Sequence, residues 1–467
     1  MFCIPGILAL ITLVYLRPQE FIEPLQAVPL LYIAFALAVF GFVVDVRLRK
    51  SELSSTPLLW LSVAFFGWLV LTALAYEPRE APLHAIDLAI PLVLFLLVGY
   101  GVQSYRALHA VGGVTLAMVL FVTAVGVHQW FQPTGCIEVN ETVASDTFSG
   151  KFDGRWCDTA HACYLGAPEP GAQYRCEKIG LFGTNSVGEG RVRWRGVLQD
   201  PNELALAGGI GIPLAFGLGL RRRALPRWLL NALTLAVVMV CAMFTGSRGG
   251  QLVVLAVLGA YFVKRYGYKG LSVGALLALP VLVLGGRAGD SAEQSTNERI
   301  ECWYEALQMF RMNPLLGVGY SNFGEYHYLT AHNSFMLALG ETGFPGLLLF
   351  SLVVYLAVKI PCVILKRYSD PVVLTDPVLA AGAPMARGWS MALLATYCGL
   401  AVGIFFLSFT YHPILWIYIG LSAALYGATR AHDPALAVGF GWRDVLTVAA
   451  ACAVLVAVVY VLTRAMT

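Results

Sequence analysis

The chain has 467 residues, of which 58% are hydrophobic and only 13% charged, with a mean hydropathy of +0.71. These values lie far from the half-apolar, quarter-charged composition of a soluble domain and exclude one as the principal body of the protein. The formal net charge of +3 is too small to signal nucleic-acid binding, and its placement, taken up below, follows membrane topology instead.

In chain order, about thirteen apolar stretches approach the ~20 residues that cross a bilayer. They run at 2–16, 28–46, 57–76, 84–104, 108–127, 203–220, 226–245, 249–264, 270–285, 335–358, 388–408, 412–428 and 444–463. The first is short, and an interfacial piece remains an alternative for it. It lacks a basic leader and a small-residue cleavage site, so it is expected to be retained. The fold class expected is all-α, a polytopic transmembrane helical bundle of about 12–13 spans with two extended periplasmic loops. Its divisions are helices over 1–127, a Cys-containing loop over 128–200, helices over 201–285, a loop with an amphipathic helix over 286–344, and helices over 345–467.

Lys and Arg in short loops stay in the cytoplasm. Arg47, Arg49 and Lys50 mark one connection, Arg106 the next, then Arg221, Arg222, Arg223 and Arg227, then Lys264, Arg265 and Lys269, then Lys359, Lys366, Arg367 and Arg387, and finally Arg430 and Arg443. They fall at every second connection, which puts the N-terminus inside and residues 128–200, 246–250, 286–332 and 409–412 outside. The unusual polar motifs all fall on that outer side, where the chemistry is expected.

The first outer loop carries Cys136, Cys157, Cys163 and Cys176. Four cysteines facing an oxidising compartment read as two disulfides with three possible pairings. A zinc site competes less well, because paired C-x-x-C spacing is missing around His161. The loop is Gly-rich and reads as strand-poor. The Asn140-Glu141-Thr142 sequon is taken as incidental.

Four motifs follow on the outer side. Arg193-Trp194-Arg195 precedes Asp200-Pro201-Asn202-Glu203, where Asp200 and Glu203 have the spacing of a helix-start capping box. The arginines, unlike these acids, have no topological need to be there. Thr245-Gly246-Ser247-Arg248-Gly249-Gly250 is a tight turn between spans, and an ionisable residue at that depth is a functional candidate before it is a snorkelling one. Ser295 and Glu298 have capping-box spacing for an amphipathic helix that buries Ile300, Trp303, Leu307 and Phe310, which would place Arg299 in the first turn, against the helix dipole. Last comes Ala331-His332-Asn333-Ser334-Phe335, with Gly343 and Pro345 predicting a break before the tenth span.

Taken with Asn313-Pro314-Leu315-Leu316-Gly317-Val318-Gly319-Tyr320-Ser321-Asn322-Phe323, Glu341 and Asp200-Pro201-Asn202, these motifs resemble the O-antigen ligase and polymerase superfamily of membrane glycosyltransferases. The resemblance covers the order of motifs over about 190–350 and the topology throughout. It implies a GT-C-like bundle in a bacterial inner membrane with its active site facing the periplasm, and a donor glycan on a polyprenyl (undecaprenyl) diphosphate, with a glycan or glycolipid acceptor and membrane lipids as further partners. It implies Arg248, Arg299 and His332 as catalytic residues. Arg193, Arg195, Asn202 and Asn333 are the expected substrate-binding residues. Guanidinium forks match diphosphate oxygens, and imidazole titrates near neutrality, so no metal or cofactor is expected. Ligase is the first reading and repeat-unit polymerase the second. A lipid-linked glycan transporter fits less well, since the arginines cluster at one membrane face and no convincing internal repeat is seen, and an assembly protein would leave the Arg and His motifs without a role.

Overall fold

The computed structural model describes residues 1–51, 56–139, 150–165, 171–188, 190–220, 223–267 and 290–466. The span expected at 270–285, the sequon and residues Arg221, Arg222 and Lys269 lie outside them. The long elements are α1 (Cys3–Leu16), α2 (Leu30–Arg47), α3 (Pro57–Tyr76), α4 (Ala81–Gly101), α5 (Tyr105–Trp130), α6 (Pro201–Gly219), α7 (Ala224–Phe244), α8 (Arg248–Tyr266), α9 (Asp290–Met312), α10 (Phe323–Tyr326), α11 (Ser334–Arg367), α12 (Pro377–Phe406), α13 (Pro413–Arg430) and α14 (Trp442–Met466). Among the described residues nine of these are long and apolar enough to cross a membrane. The protein is an all-α, polytopic helical bundle. Of the other expected spans, α1 has only 14 residues, and the α8 and α13 sequences include charged or polar residues that lower their hydropathy.

Helix starts follow local chemistry. Asp376 and His412 accept hydrogen bonds from the first turns of α12 and α13, with Pro377 and Pro413 in the position whose missing N–H costs nothing. Asp200 caps α6 in a full capping box with Glu203.

The chain forms two compact units. In the first, residues 1–8, 34–111 and 288–467, α4 lies against α13 where small residues let backbones approach: a Cβ on Gly99 would stand 2.9 Å from Ala423 Cβ. Trp416 of α13 stacks with Phe65 and tilts against Phe66, ring centroids 4.5 Å apart in the latter pair. The amphipathic α9 buries Cys302, Trp303, Ala306, Leu307 and Met309 in a cluster shared with α11 and α14. It begins at Asp290, so Ser295 and Glu298 are not its cap. Glu298 instead accepts from Gln294 one turn back at 2.9 Å. Arg299 consequently sits in the third turn, and the expected conflict with the helix dipole does not arise.

The second unit, residues 9–33 and 112–287, surrounds α6. Gly209 and Gly211 let Val253 of α8 and Val119 of α5 approach to where a Cβ would stand 2.7 and 2.8 Å away. Its cysteine-containing loop corrects the strand-poor expectation. Thr134–Val139 (β1), Gly150–Trp156 (β2) and Gln173–Lys178 (β3) make an antiparallel sheet in the order β2-β1-β3, with Cys136 opposite Cys176. Two disulfides, Cys136–Cys163 and Cys157–Cys176, tie the sheet to the turn that follows β2. Glycines mask these strands in the sequence, yet they are needed: a Cβ on Gly150 would fall 1.9 Å from Ile137 Cγ2, and one on Gly135 would fall 2.4 Å from the Phe152 ring.

Candidate functional site

In the first unit the expected residues converge on the start of α11. Asn333 is its N-cap, fully buried, and its Oδ1 accepts from the backbone N–H groups of Phe335 at 2.9 Å and Met336 at 3.1 Å. That orientation leaves Nδ2, a buried donor, without a protein partner. The chain enters the cap through His332, whose φ of 47° is left-handed, a conformation that costs a non-glycine residue about 1–2 kcal/mol. The half-buried imidazole is thus set by a backbone its neighbours hold in place. Ser334 supplies part of that hold. Its hydroxyl donates to Leu407 O at 2.7 Å and accepts from Phe409 N at 2.8 Å, while Thr410 Oγ1 donates to Ser334 O at 2.7 Å. Arg299 borders the same 406–410 segment, its guanidinium 5.9 Å from the Phe406 ring centroid. His332, Asn333 and Arg299 therefore all adjoin the turn that closes α12.

Beneath them, the Asn313–Phe323 loop is docked along a kinked α11. Val318 N donates to Gly340 O at 3.0 Å, Gly319 N to Glu341 O at 2.8 Å and Phe344 N to Pro314 O at 2.9 Å. Gly317 and Gly343 both have positive φ, and a Cβ on either would lie 2.4 Å from facing backbone. The break expected from Gly343 and Pro345 occurs at Gly343. Glu341 is buried and its carboxylate is taken up by Tyr411 Oη at 2.8 Å and Phe323 N at 3.3 Å. Burial, and then the Glu341 charge, push the Tyr411 and Tyr320 hydroxyls above their ordinary range, so both remain protonated donors. Tyr320 stands edge-on to Tyr411 and to His84, with centroids 4.9 and 5.4 Å away. Sequence reasoning missed His84 and Tyr411, which lie far from the motifs along the chain and carry no spacing that marks them.

In the second unit, Ser247 caps α8 by accepting from Gly250 N at 3.0 Å, leaving Arg248 exposed at the first helical position. A Cβ on Gly250 would lie 2.2 Å from Ala205 Cβ, which is why the turn needs glycine there. Arg191 Nε reaches Thr245 O at 2.9 Å and Val192 N reaches Phe244 O at 3.2 Å, clasping this turn to the arginine-rich segment. Arg193 and Arg195 are both buried. Arg193 Nε donates to Asn185 O at 3.0 Å, whereas the Arg195 guanidinium lies 5.4 Å from the Phe21 ring centroid. Burial lowers the Arg195 pKa and the charge of Glu20 opposes that shift. Asn202 is half-buried at the start of α6, where its backbone N–H donates to Asp200 Oδ1 at 2.6 Å. One turn below Arg248, Gln251 is buried with neither amide atom hydrogen-bonded, another residue the sequence did not single out.

Residues 232–351 match the family model described as O-antigen ligase. The match supports the O-antigen ligase and polymerase superfamily, and it spans Arg248, Arg299, His332, Asn333 and Glu341. The cysteine loop, Arg193, Arg195 and Asn202 precede it. No curated protein matches the chain.

Proposed function

We propose that this protein, a multi-pass membrane protein whose 232–351 segment matches the O-antigen ligase family, transfers a glycan from a polyprenyl diphosphate to an acceptor hydroxyl at the periplasmic face of the inner membrane. The observation that supports this most is the start of α11, where His332 is held in a left-handed conformation beside Asn333, a buried amide with an unengaged donor. An imidazole so placed takes the proton of the acceptor hydroxyl as the oxygen attacks the anomeric carbon. The bond from that carbon to the diphosphate breaks, and the polyprenyl diphosphate departs with the electron pair. Single displacement inverts the centre.

Arg299 and Arg248, each within its own unit, are proposed as diphosphate ligands, since guanidinium presents fixed forks to phosphate oxygens. Arg248 adds the first-turn N–H groups of α8, a position that favours anions. Asn333 Nδ2 is suited to a substrate oxygen, and Arg193, Arg195 and Asn202 are proposed to contact the glycan-bearing substrates. No step requires a resident metal, because the arginines supply the charge that one would provide.

The deciding experiment is transfer by the purified, bilayer-reconstituted protein. His332→Ala is expected to retain donor binding while turnover falls ~10²- to 10⁴-fold, as for a lost general base. A correctly inserted variant with normal turnover would overturn the assignment. A polymerase of the same superfamily would use the same chemistry on a second lipid-linked glycan. A deletion strain separates the two: unattached long polymer accumulates without a ligase, single repeat units without a polymerase.

A further inference from the structure

We infer that a cavity under the disulfide-pinned sheet is a binding subsite for a sugar ring, an inference that rests on the glycan-handling function proposed above. The cavity lies within the second unit and measures about 550 Å³, within the ~300–1,000 Å³ range of small-molecule sites. Nothing in the family match covers it, because its walls come from residues 19–26, the sheet and residues 179–195.

Its lining has two chemistries. Phe152 with Ile137 and Ile179 form an apolar wall, and Gln19, Asn185 and Arg195 a polar one. Asn185 is 5% exposed, and its Nδ2 donates to Ser186 O at 3.1 Å, while its Oδ1 has no hydrogen-bond partner. The Gln19 Oε1 is likewise buried and without a partner. A buried carboxamide oxygen left so is destabilising, and two in one cavity point to a ligand that brings donors.

An anion is the wrong ligand, since two carbonyl-type oxygens would repel it. Arg195 is also offset there by Glu20, which lines the same cavity and pairs with Arg17 at 3.1 Å. A neutral ring bearing hydroxyl donors on its edge and C–H groups on its face satisfies both walls, with the face against Phe152. The apolar wall is built in advance. Phe152 packs on Gly135 and Ile137 on Gly150, where any Cβ would displace them, and the Cys136–Cys163 and Cys157–Cys176 bonds fix the sheet that carries Ile137 and Phe152. Pre-organisation of this kind lowers the ordering cost of binding.

The test uses the full-length protein in lipid nanodiscs. The probe is the free oligosaccharide released by mild acid from the producing strain's lipid-linked glycan, with binding read by saturation-transfer NMR. Gln26→Trp fills the rim from an exposed position and leaves the sheet untouched; Asn185→Ala removes the unpartnered acceptor. Both are expected to weaken oligosaccharide binding about tenfold or more, the equivalent of one lost hydrogen bond in a desolvated site. Arg248→Ala is expected to bind it normally. Absent binding by the wild type, or equal binding by oxidised, monodisperse Gln26→Trp, would overturn the subsite. Transfer activity is scored separately, so normal transfer by His332→Ala with binding still lost in Gln26→Trp would refute the catalytic proposal and leave the subsite standing.

Discussion

At the scale of the residue, charge and conformation divide the motif positions into those that build and those proposed to carry the chemistry. The glycines of the Asn313–Phe323 loop and of α11 build. Gly317 has φ 64° and a Cβ there would meet the Glu341 backbone at 2.4 Å, whereas a Cβ on Gly324, in α10, would meet nothing within 4 Å. Gly317→Ala should therefore cost at least the ~1–2 kcal/mol of a left-handed alanine, with a clear drop in thermal midpoint. Gly324→Ala should leave the midpoint nearly unchanged; equal midpoints would mean that the loop is not docked as described. For the arginines, Arg248→Lys and Arg299→Lys are expected to rescue transfer poorly, because a point charge cannot reproduce two parallel contacts to a diphosphate. Donor titration of the lysine variants checks this. Wild-type-like saturation in both would assign the arginines a merely electrostatic role.

At the scale of the element, the long helices were legible because burial in lipid demands an apolar run of fixed length, and α2 to α7 begin and end close to where hydropathy puts them. Two features were not. The sheet over Thr134–Lys178 was hidden because its strands are short, interrupted by glycine and held by cross-links between residues 27 and 19 apart, so no local periodicity announces them. The start of α9 was misplaced because Ser295 and Glu298 imitate a cap, although Asp290 opens the helix five residues earlier. In the same way, His84 and Tyr411 reach the Tyr320 cluster only through tertiary packing. The cross-links carry their own expectation. Closing loops of this size stabilises a fold by ~3 kcal/mol, so the paired substitution Cys157→Ser with Cys176→Ser should make the outer loop protease-sensitive while the helices stay intact. A loop equally resistant with and without that pair would show that the sheet stands on its hydrogen bonds alone.

At the scale of the whole molecule, the reading of function depends on which membrane face each connection occupies, and helices alone do not reveal that. The sidedness proposed for them rests on basic residues at every second connection, because Lys and Arg flanking a span resist translocation. On the proposed sidedness Asp158 and Arg311 are expected to face the periplasm, and Lys366 and Arg430 the cytoplasm; all four are exposed. The background for labelling is favourable. Cys362 and Cys398 are the exposed free thiols among the described residues and can be removed, while the four loop cysteines are consumed in disulfides. In intact spheroplasts, an impermeant maleimide should label Asp158→Cys and Arg311→Cys, and should reach Lys366→Cys and Arg430→Cys only after permeabilisation. The opposite pattern would put His332, Arg248 and Arg299 in the cytoplasm, where nucleotide-activated sugars and a reducing environment prevail. A periplasmic lipid-linked donor and the stability of the two disulfides would then fail together, since both depend on the same sidedness.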